Sequence, residues 1–398
     1  MSDSRISRQM RGLMVASRDT LDFLTTSSTW GKRGQRPNGT DLVGGNPQEV
    51  LPGYVEALQR WSVARDASWY GYKMSETAAR QAAAEALRTR RGVPFEPADI
   101  ALTDGALAAL LVCLMTISDP GEEVMFLSPP WFFYETLIRS GGPTPVRVRL
   151  SPPHFDLDVD RIHAAMTPRT RAVIVNSPNN PTGRVYGEDT WQRLAAMLAE
   201  ASARFGRTIF LISDEAYSRI VFDGRRFRSP TEFYPHSFIV YTYGTTLLAP
   251  GQRIGYLAMP PTMPDREPLR RALVAAQIAA GHAYPNALLQ HALGDLEKLC
   301  IDVPRLQAKR DLLVAELRAA GYQLEVPEGA MYLLSRCPDP DDMSFARHLA
   351  SRDVHVLPGS LIELPGYLRL SLTASEAMIE RALPVLADAA AGALQRSS

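Results

Sequence analysis

Six short β-forming runs, at 123–127, 146–150, 172–175, 208–212, 238–241 and 254–258, alternate with helix-forming tracts through the middle of the chain. Several are apolar throughout, as strands covered on both faces must be. Strand and helix alternation of this kind implies an α/β fold built on a mostly parallel sheet flanked by helices. Ligands of such sheets bind beyond the carboxyl ends of the strands. The residues that follow each run therefore carry the functional information.

The chain has 398 residues, long enough for about two domains. Residues 1–50 read as a turn-rich arm, with GGNP at 44–47 its strongest loop signal. A large portion is expected over 51–285. A smaller α+β portion is expected over 286–398, where a helical tract at 285–320, broken near Pro304, leads to strands at 331–334, 355–357 and 367–372 and a last helix. The arm joins this smaller portion.

Two further stretches have chemical content. ETAARQAAAEALRTRR, at 76–91, favours helix and meets its stop at Gly92, and Arg88, Arg90 and Arg91 fall in the last turn, where cations complement the dipole. IALTDGALAALLVCLM, at 100–115, reads as a strand, a cap at Thr103 and Asp104, and a helix opened by Gly105 and Ala106 that is apolar on nearly every side. Such a helix is buried, and its free N–H groups offer an anion site.

The polar groups follow the strands. SPPWFFY (128–134) follows the run at 123–127, NSPNNPTG (176–183) the run at 172–175, and SDEAY (213–217) the run at 208–212. TYGTTLLAPGQRIGY (242–256) follows the run at 238–241 and carries no charge before Arg253. Small residues there permit close backbone approach, hydroxyls donate hydrogen bonds, and a guanidinium can grip phosphate oxygens in pairs. From this stretch alone, a plain connecting loop with an arginine on its rim is an equal reading.

Charge and cysteine usage narrow the class. With 43 basic residues against 43 acidic ones there is no electrostatic footprint for nucleic acid. Three scattered cysteines, Cys113, Cys300 and Cys337, fit neither a disulfide framework nor a zinc site. Residues 1–14 lack the apolar core of a signal peptide, and the longest apolar run, 106–115, is too short for a bilayer. A cytoplasmic protein with no membrane or metal partner is the expectation.

Taken jointly, NNPTG, SDEAY and PGQRIGY, in this order and with GGNP before and YLRLSL (367–372) after them, resemble the class I and II aminotransferases. These are pyridoxal 5'-phosphate enzymes of fold type I, and the resemblance spans nearly the whole chain. It implies a seven-stranded type of sheet in the large domain, a homodimer with its site at the subunit boundary, and amino transfer from an amino acid to a 2-oxo acid.

Residue by residue, the resemblance gives Asp214 the pyridine nitrogen of the cofactor, and Asn180 and Tyr217 its phenolic oxygen. Trp131 stacks on the ring. Gly105, Ala106 and Leu107 lie at the phosphate with Thr242 and Arg253, and Tyr70 reaches the phosphate in the partner subunit, with Tyr72 a near neighbour. Arg369 clamps the substrate carboxylate, Asn180 also lies beside the substrate, and Gly45 closes over it. Without the resemblance, Asp214 is a cap, Asn180 a turn residue, Tyr217 and Trp131 core rings, and Arg369 a surface arginine on an edge strand.

One position departs from the family. Relatives carry the Schiff-base lysine eight residues before the phosphate arginine, and here that position is Thr245. A threonine hydroxyl can neither hold the cofactor aldehyde nor shuttle a proton as an amine does. The chain's lysines are Lys32, Lys73, Lys298 and Lys309, none in a matching loop. Three explanations stand open: a deliberate replacement that traps a cofactor adduct, a natural loss that leaves a ligand-binding subunit, or a chemistry that needs no amine. Little or no turnover is expected, and the alternatives to transamination are another pyridoxal-phosphate chemistry (lyase, cyclase or oxidase) and non-catalytic ligand binding.

Overall fold

The computed structural model describes residues 5–25 and 39–397. Its strands are β1 (Thr40–Asp41), β2 (Ile100–Thr103), β3 (Glu123–Ser128), β4 (Thr144–Arg149), β5 (Thr170–Asn176), β6 (Phe210–Asp214), β7 (Ser237–Thr242) and β8 (Gly255–Ala258), then β9 (Tyr332–Arg336), β10 (Val354–His355), β11 (Leu357–Pro358) and β12 (Tyr367–Ser371). Seven of them form one sheet in the order β2-β8-β7-β6-β5-β3-β4. All neighbours in it are parallel except β8, which runs against both β2 and β7. The α/β sheet expected from the sequence is thus present.

Why the strands are apolar throughout is visible in what covers them. Val124, Phe126, Ala172, Ile174, Phe210 and Ile212 face one side, among residues of helices Ala106–Ile117, Tyr134–Gly141 and Arg266–Ala279. Met125, Leu127, Val173, Val175 and Leu211 face the other, against Val159–Ala165 and Glu188–Phe205. Period-two alternation delivers successive side chains to opposite faces, so a doubly covered strand has no polar positions to spare.

The reversal of β8 has a positional effect. The carboxyl ends of β2, β3, β5, β6 and β7 lie along one edge of the sheet, and the segment entering β8 starts from that same edge. Gly105, Trp131, Asn176, Asp214, Thr242 and Arg253 are gathered there by topology alone.

A second, antiparallel sheet has the order β11-β12-β9. Its apolar residues Leu333, Leu368 and Leu370 join a cluster with Leu313 and Leu317 of helix Val303–Ala319, Leu349 of Asp342–Ser351 and Leu386 of Glu376–Ser397. Helix Ala287–Leu296 belongs elsewhere: its Leu289, Leu293 and Leu296 pack with Tyr54, Ala83 and Leu102 near the large sheet.

Several local expectations need correction. Residues 8–25 are not turn-rich but form two helices, Arg8–Ala16 and Arg18–Thr25. None of the first helix's residues is buried, although Met10, Leu13 and Met14 recur along it at helical spacing. Pro304 does not break a helix. It sits in the first turn of Val303–Ala319, where its missing N–H removes no intrahelical bond, and the interruption lies at 297–302. The run at 355–357 is two short strands, β10 beside β1 and β11 beside β12. Helix Thr77–Arg91 ends as expected, on Gly92 in the left-handed region at φ 69°. Among the described residues no helix is long and apolar enough to cross a membrane.

Candidate active site

The helix Ala106–Ile117 begins at Gly105, whose φ of +87° only glycine adopts without strain. A Cβ there would lie 2.6 Å from Arg253 Nη2 and 3.3 Å from Thr242 Oγ1. Glycine is what lets this helix start, a hydroxyl and a guanidinium crowd one spot. No side chain caps the helix, which departs from the expected cap: Thr103 bonds the Gly105 carbonyl, and Asp104 lies 2.9 Å from His282 Nδ1. Arg253 donates to the Pro250 carbonyl at 2.6 Å and forms no ion pair among the described residues. Free helix N–H groups beside an unpaired guanidinium make a phosphate-ready corner.

Asp214 ends β6, opposite Asn176 of β5, and is 5% exposed. Its Oδ2 accepts from the Tyr134 hydroxyl at 2.6 Å and its Oδ1 from the Ala216 N–H at 3.2 Å. Burial pushes its carboxyl up to about 6, against the pull of those two hydrogen bonds, with the neighbouring Glu215 charge a smaller upward push. A buried acid of this kind, with no cation bonded to it, is stabilised by any cationic N–H brought to it.

Glu215, by contrast, is already satisfied. It pairs with Arg91 and accepts from Ser229, both in short contacts, and from Ser213 Oγ at 3.1 Å. The three arginines closing helix Thr77–Arg91 are therefore cross-links as well as dipole partners: Arg90 pairs with Glu297 at 2.8 Å, and Arg88 donates to the Phe95 carbonyl at 2.7 Å.

Asn180 is oriented from both ends. Arg369 Nη1 donates to its Oδ1 at 2.8 Å, which directs its amide N–H toward the Tyr217 hydroxyl at 3.4 Å. Arg369 lies on β12, 3% exposed, and its Nη2 donates to the Val43 carbonyl at 2.7 Å. Its guanidinium carbon stands 4.0 Å from the Tyr332 ring centroid, its Nε has no partner, and it forms no carboxylate pair among the described residues. Burial holds this guanidinium below its usual basicity. The surface-arginine alternative is thus ruled out: this is a buried cation with a donor in reserve.

These groups border a cavity of about 360 Å³. Of the residues singled out in the sequence, Gly45, Ala106, Leu107, Trp131 and Asn180 line it, as do Asp214, Tyr217, Thr242, Thr245 and Arg253. Trp131 stands edge-on to Phe133 at 5.2 Å and Tyr134 at 5.4 Å. Gly45 is held close to Tyr332, whose hydroxyl would lie 2.9 Å from a Cβ at that position. Arg369 lies behind the lining rather than in it. Tyr70 is not brought to the cavity of its own chain: it is 58% exposed and bonds the Ser62 carbonyl, while Tyr72 is 90% exposed with its ring 4.9 Å from that of Tyr284.

Thr245 sits in a single helical turn, Tyr243–Thr246, capped by Thr242. Its hydroxyl donates to the Ala216 carbonyl in a short contact and lies 3.4 Å from the Thr242 carbonyl. No described lysine amine replaces it. Lys73 is 3.8 Å from Glu76, Lys298 is 3.1 Å from Asp295, and Lys309 donates to the Ala374 carbonyl at 2.9 Å. Lys32 lies outside the described residues.

Sequence reasoning missed three residues that touch the candidate groups: Tyr134 bonds Asp214, Asn176 bonds Asn180 and the Tyr332 ring lies against Arg369. Tyr134 was hidden as one of four successive aromatic or bulky residues in WFFY, Tyr332 in an apolar strand, and Asn176, whose Oδ1 fixes the Asn180 N–H at 2.7 Å, at a strand end. Pyridoxal phosphate fits the donor set: a phosphate corner, a buried acid for a ring nitrogen, an amide and phenol pair, and an indole at the wall. Among the described residues no cluster of His, Cys, Asp and Glu offers a metal site.

The comparisons with known proteins agree. A family model described as aminotransferase class I and II matches residues 41–386. The aspartate/prephenate aminotransferase of Thermus thermophilus is 32% identical, with 87% of this chain and 91% of that protein covered. A probable aspartate/prephenate aminotransferase of Thermus aquaticus is 30% identical over 96% of this chain and all of its own length (100%). Among solved structures, an amino transferase from Eubacterium rectale superposes with a TM-score of 0.84 at 29% identity, covering 97% of this chain and 96% of that one. The Thermus thermophilus aspartate aminotransferase with maleate gives 0.78 at 29% identity, covering 96% and 99%.

Proposed function

Because the chain belongs to the class I and II aminotransferases, enzymes that use pyridoxal phosphate to move an amino group between an amino acid and a 2-oxo acid, we propose that its cavity is the cofactor and substrate site and that Thr245 blocks multiple turnover. The cofactor, when bound, supplies a cationic ring that withdraws electrons from the substrate's Cα. This chain's residues do the rest. Gly105, Ala106, Leu107, Thr242 and Arg253 bind the phosphate. Asp214, held in place by Tyr134, keeps a proton on the ring nitrogen. Asn180 and Tyr217 hydrogen-bond the phenolic oxygen, and Trp131 covers a ring face. Arg369 receives the substrate carboxylate next to Gly45.

What is missing is a base on the side of Thr245. Its hydroxyl is too weakly basic to take the Cα proton, and removing a positioned acid-base group costs typically 10²- to 10⁴-fold in rate. The observation that carries the proposal is this threonine, bonded to the Ala216 carbonyl within an otherwise assembled site.

The test is multiple-turnover amino transfer across a panel of amino acids with a 2-oxo acid acceptor, for the native chain and for Thr245→Lys. The variant should gain the visible absorbance of a lysine imine and at least about a hundredfold in rate. Ordinary turnover by the native chain would refute the assignment.

The exposure of Tyr70 and Tyr72, away from their own chain's cavity, supports a homodimer in which Tyr70 serves the neighbouring site. Sedimentation velocity tests this, and a monomer at micromolar concentration would count against it. Two portions, meeting at 297–302 rather than at 286, fit the packing of helix Ala287–Leu296 beside the large sheet. Three free cysteines suit a reducing cytoplasm, which cell fractionation can check.

A further inference from the structure

A threonine hydroxyl has one hydrogen to give and two lone pairs to offer. At Thr245 the hydrogen is already committed. The Ala216 carbonyl takes it, and the next oxygen, the Thr242 carbonyl at 3.4 Å, can likewise only accept. Thr245 lines the cavity, and its hydroxyl has no hydrogen left to give a ligand there, only lone pairs. This reverses the chemistry of the position, since a lysine amine there offers donors or a nucleophile.

We infer that this chain takes the amine form of the cofactor, pyridoxamine 5'-phosphate, in preference to the aldehyde form. An aldehyde oxygen is an acceptor and finds no donor in the Thr245 side chain. An aminomethyl group brings N–H donors that match its lone pairs. Nor does the aldehyde gain from covalent capture: the described lysines are engaged with Glu76, Asp295 and the Ala374 carbonyl. The phosphate corner and the Asp214 side hold both forms alike, so discrimination falls on Thr245. The inference rests on the cofactor site proposed above and adds which form that site selects.

The experiment is equilibrium dialysis of the full chain against pyridoxamine 5'-phosphate, pyridoxal 5'-phosphate and inorganic phosphate, with no substrate present. The amine form should bind at least about tenfold more tightly than the aldehyde form, a difference of about 1.4 kcal/mol. Thr245→Ser keeps the hydroxyl and should keep the preference. Thr245→Val removes it and should bring the two dissociation constants together, and Thr245→Lys should favour the aldehyde. Equal affinities for the native chain, or tighter aldehyde binding, would overturn the inference while leaving the cofactor site intact. If neither form binds more tightly than inorganic phosphate, the site assignment and the inference fall together.

Discussion

Replacing Asp214 by asparagine keeps the shape of the cavity wall and removes its buried charge. In the free pocket that carboxyl titrates at about 6, raised by burial from 3.8. A cationic ring N–H beside it favours the ionised form, so cofactor binding is strong above pH 6 and is lost as pH falls through that value. With a free-protein value of 6, the ionised fraction drops about tenfold between pH 7 and pH 5, and affinity should drop with it, by about 1.4 kcal/mol. The cofactor phosphate has its own proton near pH 6, which weakens binding to both proteins equally. The diagnostic quantity is therefore the difference between the two pH profiles, read from dissociation constants of pyridoxamine 5'-phosphate. Asp214→Asn should lose the tenfold component, and at pH 7.5 it should bind about 1.5–3 kcal/mol more weakly, the worth of a hydrogen bond to a charged group. The unliganded protein moves the other way. A folded value above the unfolded one means stability fully present below about pH 4 and lost as pH rises through 6, by about 3 kcal/mol from this residue. Superimposable binding profiles for the native chain and Asp214→Asn would refute the reasoning, because a ligand indifferent to that charge does not meet it.

Tyr134→Phe removes the hydrogen bond that lowers the Asp214 carboxyl, so the midpoint of the same binding profile should move above 6; an unmoved midpoint would show the contact is idle. Gly105→Ala forces a Cβ to 2.6 Å from Arg253 Nη2 at a positive φ. It should lower stability by more than about 1 kcal/mol in urea titrations and weaken inorganic phosphate binding, and a neutral outcome on both would remove the corner from the site. Arg369→Lys keeps the charge and loses the planar fork. A 2-oxo acid should then bind at least about tenfold more weakly, about 1.4 kcal/mol, while dialysis against pyridoxamine 5'-phosphate alone changes little.

The sheet was legible because burial on both faces forces unbroken apolar strands, as in β5 and β6, and the site followed because polar residues at those strand ends have nowhere to point but the common edge. Thr242, Asp214 and Asn180 are of this kind. Helix Arg8–Ala16 was passed over, since its helically spaced apolar residues Met10, Leu13 and Met14 span little more than one turn and bury nothing. Tyr134 was visible but not assignable: which ring of WFFY turns toward Asp214 depends on where the helix Tyr134–Gly141 starts, a backbone matter. Tyr332 and Val43 contribute through contacts made across the chain, by a ring face and a carbonyl, and neither leaves a local pattern. The departure at Thr245 was legible only through the resemblance to the family, which places a lysine there, whereas the direction of its hydrogen bond comes from the fold.

Arg369 joins the Val43 carbonyl to the Asn180 side chain. Three stretches far apart along the polypeptide are thereby fastened by one side chain, and no contiguous segment contains the finished pocket. On the ribosome, binding competence has to wait until residue 369 has emerged, long after the strand ends that line the cavity have been made. Grafting the loops of the large sheet onto another scaffold would likewise carry over the contacts proposed for the cofactor and leave behind Arg369, the residue proposed for the substrate carboxylate.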